Sequence, residues 1–423
     1  MRRVSARTLL LAAVLVAAAA AIAFTRPQGA DYANFDCQLR QPCEDAQPVI
    51  DDLIGGHVAA LWREQGLLGP VSLVLRAPFA ALASGTEARY RLGCFACLLV
   101  LAAAALLIAS EMRRRGKRDW QIALVAVFIV VNPMVFKALD FGHPEEALGA
   151  ALMLMAAVFA IRGQALAAAV AAALLVANKL WGVLALVPIA LTLPRPAWRQ
   201  AGAAFVLVLA LLYGPLAIGS PERFHAAVTS ANKLGAVAGT ASKTNAWGFL
   251  MKPAPFSRIT AIKDGSPVYE HALGLVLPSP WVKIAHPLVV LLAVALAVLW
   301  WRARPPDPGD LLLVLAAIFL LRCILEPGNH SYYHLPFLIC LIAFEGVAWG
   351  LPVFGIVSAA ALQLLSSPSL QLHTGDTFQW LYLGWSVSTF VGLALILCLR
   401  SRSTPLTPRS RTSRRPVTVS SRG

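Results

Sequence analysis

Charged side chains are scarce in this sequence. Asp, Glu, Lys and Arg make up 13% of its 423 residues, where a soluble globular chain carries about 25%. Hydrophobic residues make up 58%, and charge-free runs recur from end to end. That combination excludes an ordinary soluble domain and points to a polytopic membrane protein. Acids are scarcer than bases, 21 against 36, yet the excess does not read as a nucleic-acid surface. The bases cluster between apolar runs, and residues 400–423 hold seven arginines and no acid. This is the pattern of cytoplasmic loops beside anionic headgroups, so membrane lipids are the expected partner and nucleic acid is not. A Walker motif, a GxSxG elbow and a dinucleotide fingerprint are also missing, which leaves ATP hydrolysis and serine hydrolysis without support. No internal repeat stands out.

Cysteine is sparse too, with seven residues. Cys94, Cys97, Cys323, Cys340 and Cys398 lie in or beside apolar runs, where packing is their default role. Cys94-Phe-Ala-Cys97 is a weak redox motif, because it opens a membrane span. Cys37 and Cys43 share a polar loop and leave a disulfide open.

The apolar runs give an all-α membrane fold of about twelve transmembrane helices, in a range of roughly ten to thirteen. They lie near 8–24, 92–110, 121–138, 147–161, 165–177, 180–193, 201–218, 286–301, 310–325, 335–348, 351–366 and 380–399. Arg2, Arg3 and Arg7 put the N-terminus in the cytoplasm. The same rule puts "EMRRRGKRD", Arg162, Arg195 with Arg199, Arg302 with Arg304, and the C-terminus there. The parity holds if residues 165–193 cross twice, with Lys179 at the outer tip. The first run reads as an uncleaved helix, since no small-x-small cut precedes a polar segment. The organisation is then a transmembrane domain over 1–399 in the cell membrane and a disordered basic cytoplasmic tail over 400–423. The domain includes a first outer loop (25–91) with interfacial helices and a long outer loop (220–285).

Polar chemistry gathers on the outer side. The first loop carries Asp31, Asp36, Glu44, Asp45, Asp51 and Asp52. These form a solvated acidic loop whose last pair starts a helix, or they supply a general base whose pKa is raised beside lipid. "GLLGPVSLVLRAPFAAL", broken by Pro70 and Pro78, reads as interfacial or re-entrant, with Arg76 snorkelling to the surface. In "LDFGHPEEAL", Pro144 fits the first helical position, His143 the cap, and Glu145 and Glu146 the dipole-favoured first turn. A cap needs only one acid, and histidine caps poorly. His143 and Glu146, three apart, would share a helix face. The trio suits a sugar or a hydroxyl better than a metal, which would need ligands from other loops; no metal site is assigned.

Lys179, at the tip of "ANKLWG", either snorkels or marks function. In "LLRCILEPGNHSYYHLPFLI", Arg322 and Glu326 stand one helical turn apart. His330, Tyr332, Tyr333 and His334 crowd the turn that follows. A fixed cation among aromatics suits an anionic lipid headgroup. Asn329-His330-Ser331 matches the N-glycosylation pattern, but a tight turn against the membrane makes the match read as chance. The 220–285 loop, with Asn245, Trp247 and Tyr269, is a polar connection or a lid.

The order of these blocks resembles bacterial polytopic proteins of the GT-C superfamily. The likeness is to family 87 glycosyltransferases similar to polyprenyl-phosphate-mannose-dependent mannosyltransferases. It covers most of residues 8–400 and is strongest in the GHPEE, NKLWG and YYHLP blocks. The resemblance implies transfer of a sugar, mannose, from a polyprenyl-phosphate donor to a glycan or lipid acceptor on the outer face. The lipid-linked sugar is a co-substrate and no cofactor is needed. It implies a base on the first outer loop, carried over to Asp45 first, then Asp52 and Asp36. The loop has no clean Asp-Asp or Asp-x-Asp pair early on, which leaves the choice among them open. His143, Glu145, Glu146, Lys179, Arg322, His330, Tyr333 and His334 would bind substrate. A transporter or lipid-linked-glycan flippase is the competing reading. It would place polar residues deep in several spans, whereas most spans here are Ala, Leu and Val.

Overall fold

A computed structural model describes residues 5–25, 47–59, 61, 69–222, 225, 246–250, 252–263, 266–276, 278–303, 307–367 and 377–402. Asp36, Asp45, Cys37, Cys43 and most of the basic tail lie outside the described residues. The chain is a helical membrane bundle. Its helices are α1 (Ala6–Thr25), α2 (Gln47–Ile54), α3 (Pro70–Ala80), α4 (Thr86–Arg114), α5 (Asp119–Val130), α6 (Pro133–Asp140), α7 (Pro144–Ile161), α8 (Ala165–Asn178), α9 (Leu186–Thr192), α10 (Trp198–Gly219), α11 (Ser279–Arg302), α12 (Asp310–Leu325), α13 (Leu335–Ala348), α14 (Val353–Leu365) and α15 (Thr377–Arg402). Each apolar run of the sequence is helical. Among the described residues, eight helical segments are long and apolar enough to cross a membrane. The basic tail begins later than its composition suggests, because α15 runs on to Arg402.

One element is not helical. Inside the 220–285 loop, β1 (Lys252–Lys263) and β2 (Ser266–Val276) form an antiparallel hairpin, from Lys252 opposite Val276 to Lys263 opposite Ser266. The sequence signal for it is the Asp264-Gly265 pair between two runs rich in β-branched and aromatic residues.

Burial sorts the helices. α7, α12 and α13 are enclosed nearly all round, as helices apolar on every face should be at the centre of a bundle. Around them, α1, α10, α11, α14 and α15 turn Leu10, Leu211, Leu291, Val357 and Leu399 outward. A ring of exposed large apolar side chains of this kind needs hydrocarbon around it. α7 and α8 pack together, and both are rich in buried alanine, a small residue that lets membrane helices approach closely.

The basic loops meet at one end. Arg115 holds Asp307 through both terminal nitrogens, at 2.6 and 2.9 Å, and its Nε lies 3.2 Å from Glu111. Arg162 Nε reaches the other oxygen of Glu111 at 3.2 Å, and Arg400 Nε reaches Asp310 at 2.7 Å. This clasp binds α4, α7, α12 and α15 together. Lys179 lies at the far end of α8 from Arg162, so residues 165–192 run out and back.

α3, eleven residues long, spans roughly 16 Å, about half a hydrocarbon core. It packs on α4 and α8, and α2 covers it by setting Val49 and Ile50 against Leu73 and Ala80. Its Arg76 does not snorkel. It is 1% exposed and lies against Gly93 of α4, where a Cβ would stand 3.0 Å from its Nε.

Candidate active site

The end of the bundle opposite the clasp carries a second polar cluster, and three interruptions of helix put it there. The first lies between α5 and α6. Asn132 caps α6, accepting from the Met134 and Val135 N–H groups at 3.1 and 3.2 Å, and Pro133 follows it. The second is the turn Phe141–His143, where Gly142 takes φ 87°, a conformation glycine adopts at little cost. Pro144 then starts α7, and Glu145 and Glu146 occupy its first turn. The third follows Asn178, where Lys179 is extended (φ −149°, ψ 131°) before a 3-10 turn over Leu180–Ala185.

The helix dipole favours both glutamates, yet they are 0% and 1% exposed, and buried charge demands a partner. Lys179 provides it: its Nζ lies 3.1 Å from Glu145 Oε1 and 3.6 Å from Glu146 Oε1. His143 Nδ1 lies 2.8 Å from Glu145 Oε1. Trp181 Nε1 donates to Glu146 Oε2 at 3.0 Å, and Asn178 Nδ2 donates to the Glu145 carbonyl at 2.8 Å. His143 and Glu146 do not share a face. His143 sits outside the helix at φ −110°, ψ 59°, so helical spacing does not apply to it and it meets Glu145 instead.

Two glycines permit this packing. A Cβ on Gly149 would come within 2.9 Å of the Trp181 ring and 3.0 Å of Asn178 Nδ2. A Cβ on Gly69 would come within 1.8 Å of the Ala177 carbonyl oxygen, and the Gly69 N–H donates to Asn178 O at 3.2 Å. Gly69 thereby ties the start of α3 to the break at Lys179.

Arg322, in the last turn of α12, forms the other half. It is 6% exposed and lies over the rings of Tyr333 and Trp181, at 4.5 and 5.6 Å from their centroids, geometry that favours a cation. Its i+4 partner Glu326 is 3.9 Å away, and the charge of Glu146 also acts on it. Glu326 sits closer to His286 of α11, 3.0 Å from its Nε2. Burial opposes the Glu326 charge, but the His286 hydrogen bond and Arg322 outweigh it and hold the carboxyl below its ordinary pKa. Aromatic contacts join the halves. Tyr332 lies against His143 at 4.8 Å, His330 at 5.4 Å and Tyr333 at 5.0 Å.

His334 turns away from this cluster. Its Nε2 meets the Tyr382 hydroxyl of α15 at 2.7 Å, and Asn329 Nδ2 donates to the same hydroxyl at 2.9 Å. Asn329 is 1% exposed, which bars it as a glycan acceptor in this fold. Of the first-loop acids, Asp51 pairs with Arg89 at 2.6 Å and Asp52 lies 3.5 Å from His57; neither of these contacts reaches the Glu145 cluster. Trp247 packs at the site's edge: its Nε1 donates to Leu325 O at 2.6 Å, and the Ala246 N–H to Ile324 O at 2.8 Å.

Glu145 Oε2, Asn178 Oδ1 and Arg322 Nη1 are buried and have no hydrogen-bond partner among the described residues. Unmet buried polar atoms are costly. Two acceptors and one cationic donor are what a hydroxyl-rich, anionic ligand would satisfy.

A family model for glycosyltransferase family 87 matches residues 67–327. That span takes in Glu145, Lys179, Arg322 and Glu326 and leaves out residues 36–52. No curated protein matches the chain.

Proposed function

The chain belongs to glycosyltransferase family 87, and on that footing we propose how this membrane glycosyltransferase handles its substrates. The donor is a polyprenyl-phosphate sugar, with mannose as the sugar, and the acceptor is a glycan or lipid hydroxyl on the outer face. Arg322 binds the donor phosphate and stabilises it as it leaves. Lys179 stays paired with Glu145 and Glu146 and positions them. Glu145 Oε2 and Asn178 Oδ1 accept from sugar hydroxyls. A carboxylate among Asp45, Asp52 and Asp36 takes the proton of the attacking hydroxyl. The new bond forms at the anomeric carbon, the bond to phosphate oxygen breaks, and polyprenyl phosphate leaves with its charge on Arg322.

The observation that carries this reading is the Arg322 guanidinium, buried with a spare N–H beside two aromatic rings. A guanidinium with unused donors in a water-poor site suits a phosphate group. The test is transfer of radiolabelled mannose from polyprenyl-phosphate-mannose. Membranes carrying the wild type are compared with Asp45→Asn, Asp52→Asn and Glu145→Gln variants. Loss of transfer in one aspartate variant at normal protein level names the base. Equal transfer in all four samples discards this site.

A further inference from the structure

Arg195 and Arg302, at the clasp end of the bundle, stay out of its ion pairs. Arg115, Arg162 and Arg400 are spent on Glu111, Asp307 and Asp310. Arg195, in the turn after α9, and Arg302, at the end of α11, form no ion pair among the described residues. Arg195 lies over the ring of Trp301 instead, 5.7 Å from its centroid. Both arginines line a cavity of about 580 Å³ together with Thr192, Trp300 and Trp301, a volume in the range of small-molecule sites. Trp300 is 7% exposed, and its indole N–H has no hydrogen-bond partner among the described residues.

We propose that this cavity binds the phosphate headgroup of an anionic membrane lipid. Two guanidinium groups offer donors to phosphate oxygens. Trp300 and Trp301 line the cavity, as aromatic side chains do at headgroup depth. Beside them, Leu299 of α11 is exposed and apolar, as a side chain facing acyl chains is. The site is separate from the Glu145–Arg322 cluster. His286 and Arg302 stand sixteen residues apart on α11, or roughly 24 Å.

The shared chemistry is a phosphate group, so the test separates a lipid from free phosphate. The purified full chain is placed in phosphatidylcholine nanodiscs doped with phosphatidylglycerol, and retained lipid is read by native mass spectrometry. The expected result is retention of phosphatidylglycerol over phosphatidylcholine by the wild type and by Arg199→Gln, whose arginine does not line the cavity. Retention weakens about fivefold for each of Arg195→Gln and Arg302→Gln. Arg302→Lys, which keeps the charge and removes the planar fork of donors, weakens it by less and serves if the glutamine variants do not fold. Equal retention by wild type and Arg195→Gln/Arg302→Gln would overturn the assignment. So would displacement of the lipid by millimolar inorganic phosphate, which would make the site one for a free anion.

Discussion

Lys179 and Glu145 form the pivot of the candidate site, 3.1 Å apart across the break that follows α8. Neither is stable there alone. Glu145 is 0% exposed, and Lys179 also faces Glu146 at 3.6 Å. Lys179→Met would leave two buried carboxylates without their cation, a loss of about 3–5 kcal/mol. Thermal unfolding of the purified variant checks this. Glu145→Gln combined with Lys179→Met should recover part of the loss, because it removes a charge that has lost its partner.

The close approach of α7 to the Asn178–Trp181 segment depends on Gly149. Gly149→Ala adds a methyl that meets the Trp181 ring at 2.9 Å. Overpacking of this kind costs about 1–3 kcal/mol. Because Trp181 holds Glu146 and backs Arg322, transfer should fall by more than the stability loss accounts for. Transfer measured well below the variant's melting temperature, beside its unfolding curve, separates the two effects.

At the clasp end, stability should depend on acid through Asp307. Burial works against its charge, but the Arg115 hydrogen bonds, the Gly309 N–H and the charges of Arg115 and Arg400 hold its carboxyl below the ordinary 3.8. A carboxyl depressed on folding contributes stability that is fully present above its unfolded pKa. That contribution is lost as pH falls through the folded value. Asp307→Asn should therefore lower stability at neutral pH and flatten its decline below about pH 4. Unfolding midpoints of both proteins across that range give the comparison.

His286 and Glu326 make a prediction for the phosphate side. His286→Ala removes a hydrogen bond that helps fix the Glu326 carboxylate beside Arg322. Glu326 is then left to pair with Arg322, which engages the guanidinium meant for donor. KM for the polyprenyl-phosphate donor should rise several-fold while Glu326→Gln shows the opposite sign. Steady-state kinetics with varied donor distinguish these outcomes.

Local features of the site could be read from residue order, and its long-range contacts could not. Each apolar run marks a helix. Pro144 after a Gly142 turn marks the start of α7, and a lysine between two short apolar runs marks the reversal at Lys179. These features are written within a few neighbouring residues. The His286–Glu326 contact joins residues 40 apart on different helices, and no spacing rule announces it. Arg76 is similar. A lone arginine in an apolar stretch suggests snorkelling, and only the packing of α3 against Gly93 of α4 shows it enclosed. His334 shows the reverse failure. It shares a dense block with Tyr333, yet the 3-10 turn over Ser331–His334 directs it to Tyr382.

The central claim is that Arg322 receives the phosphate of the donor. Its most direct test is the affinity of the purified chain for polyprenyl phosphate, compared between wild type and Arg322→Gln, with transfer measured on the same preparations. The account expects Arg322→Gln to bind polyprenyl phosphate at least tenfold more weakly, a loss of about 1.4 kcal/mol or more, and to transfer sugar about a hundredfold more slowly or worse. Unchanged binding and unchanged transfer in a folded Arg322→Gln protein would contradict it.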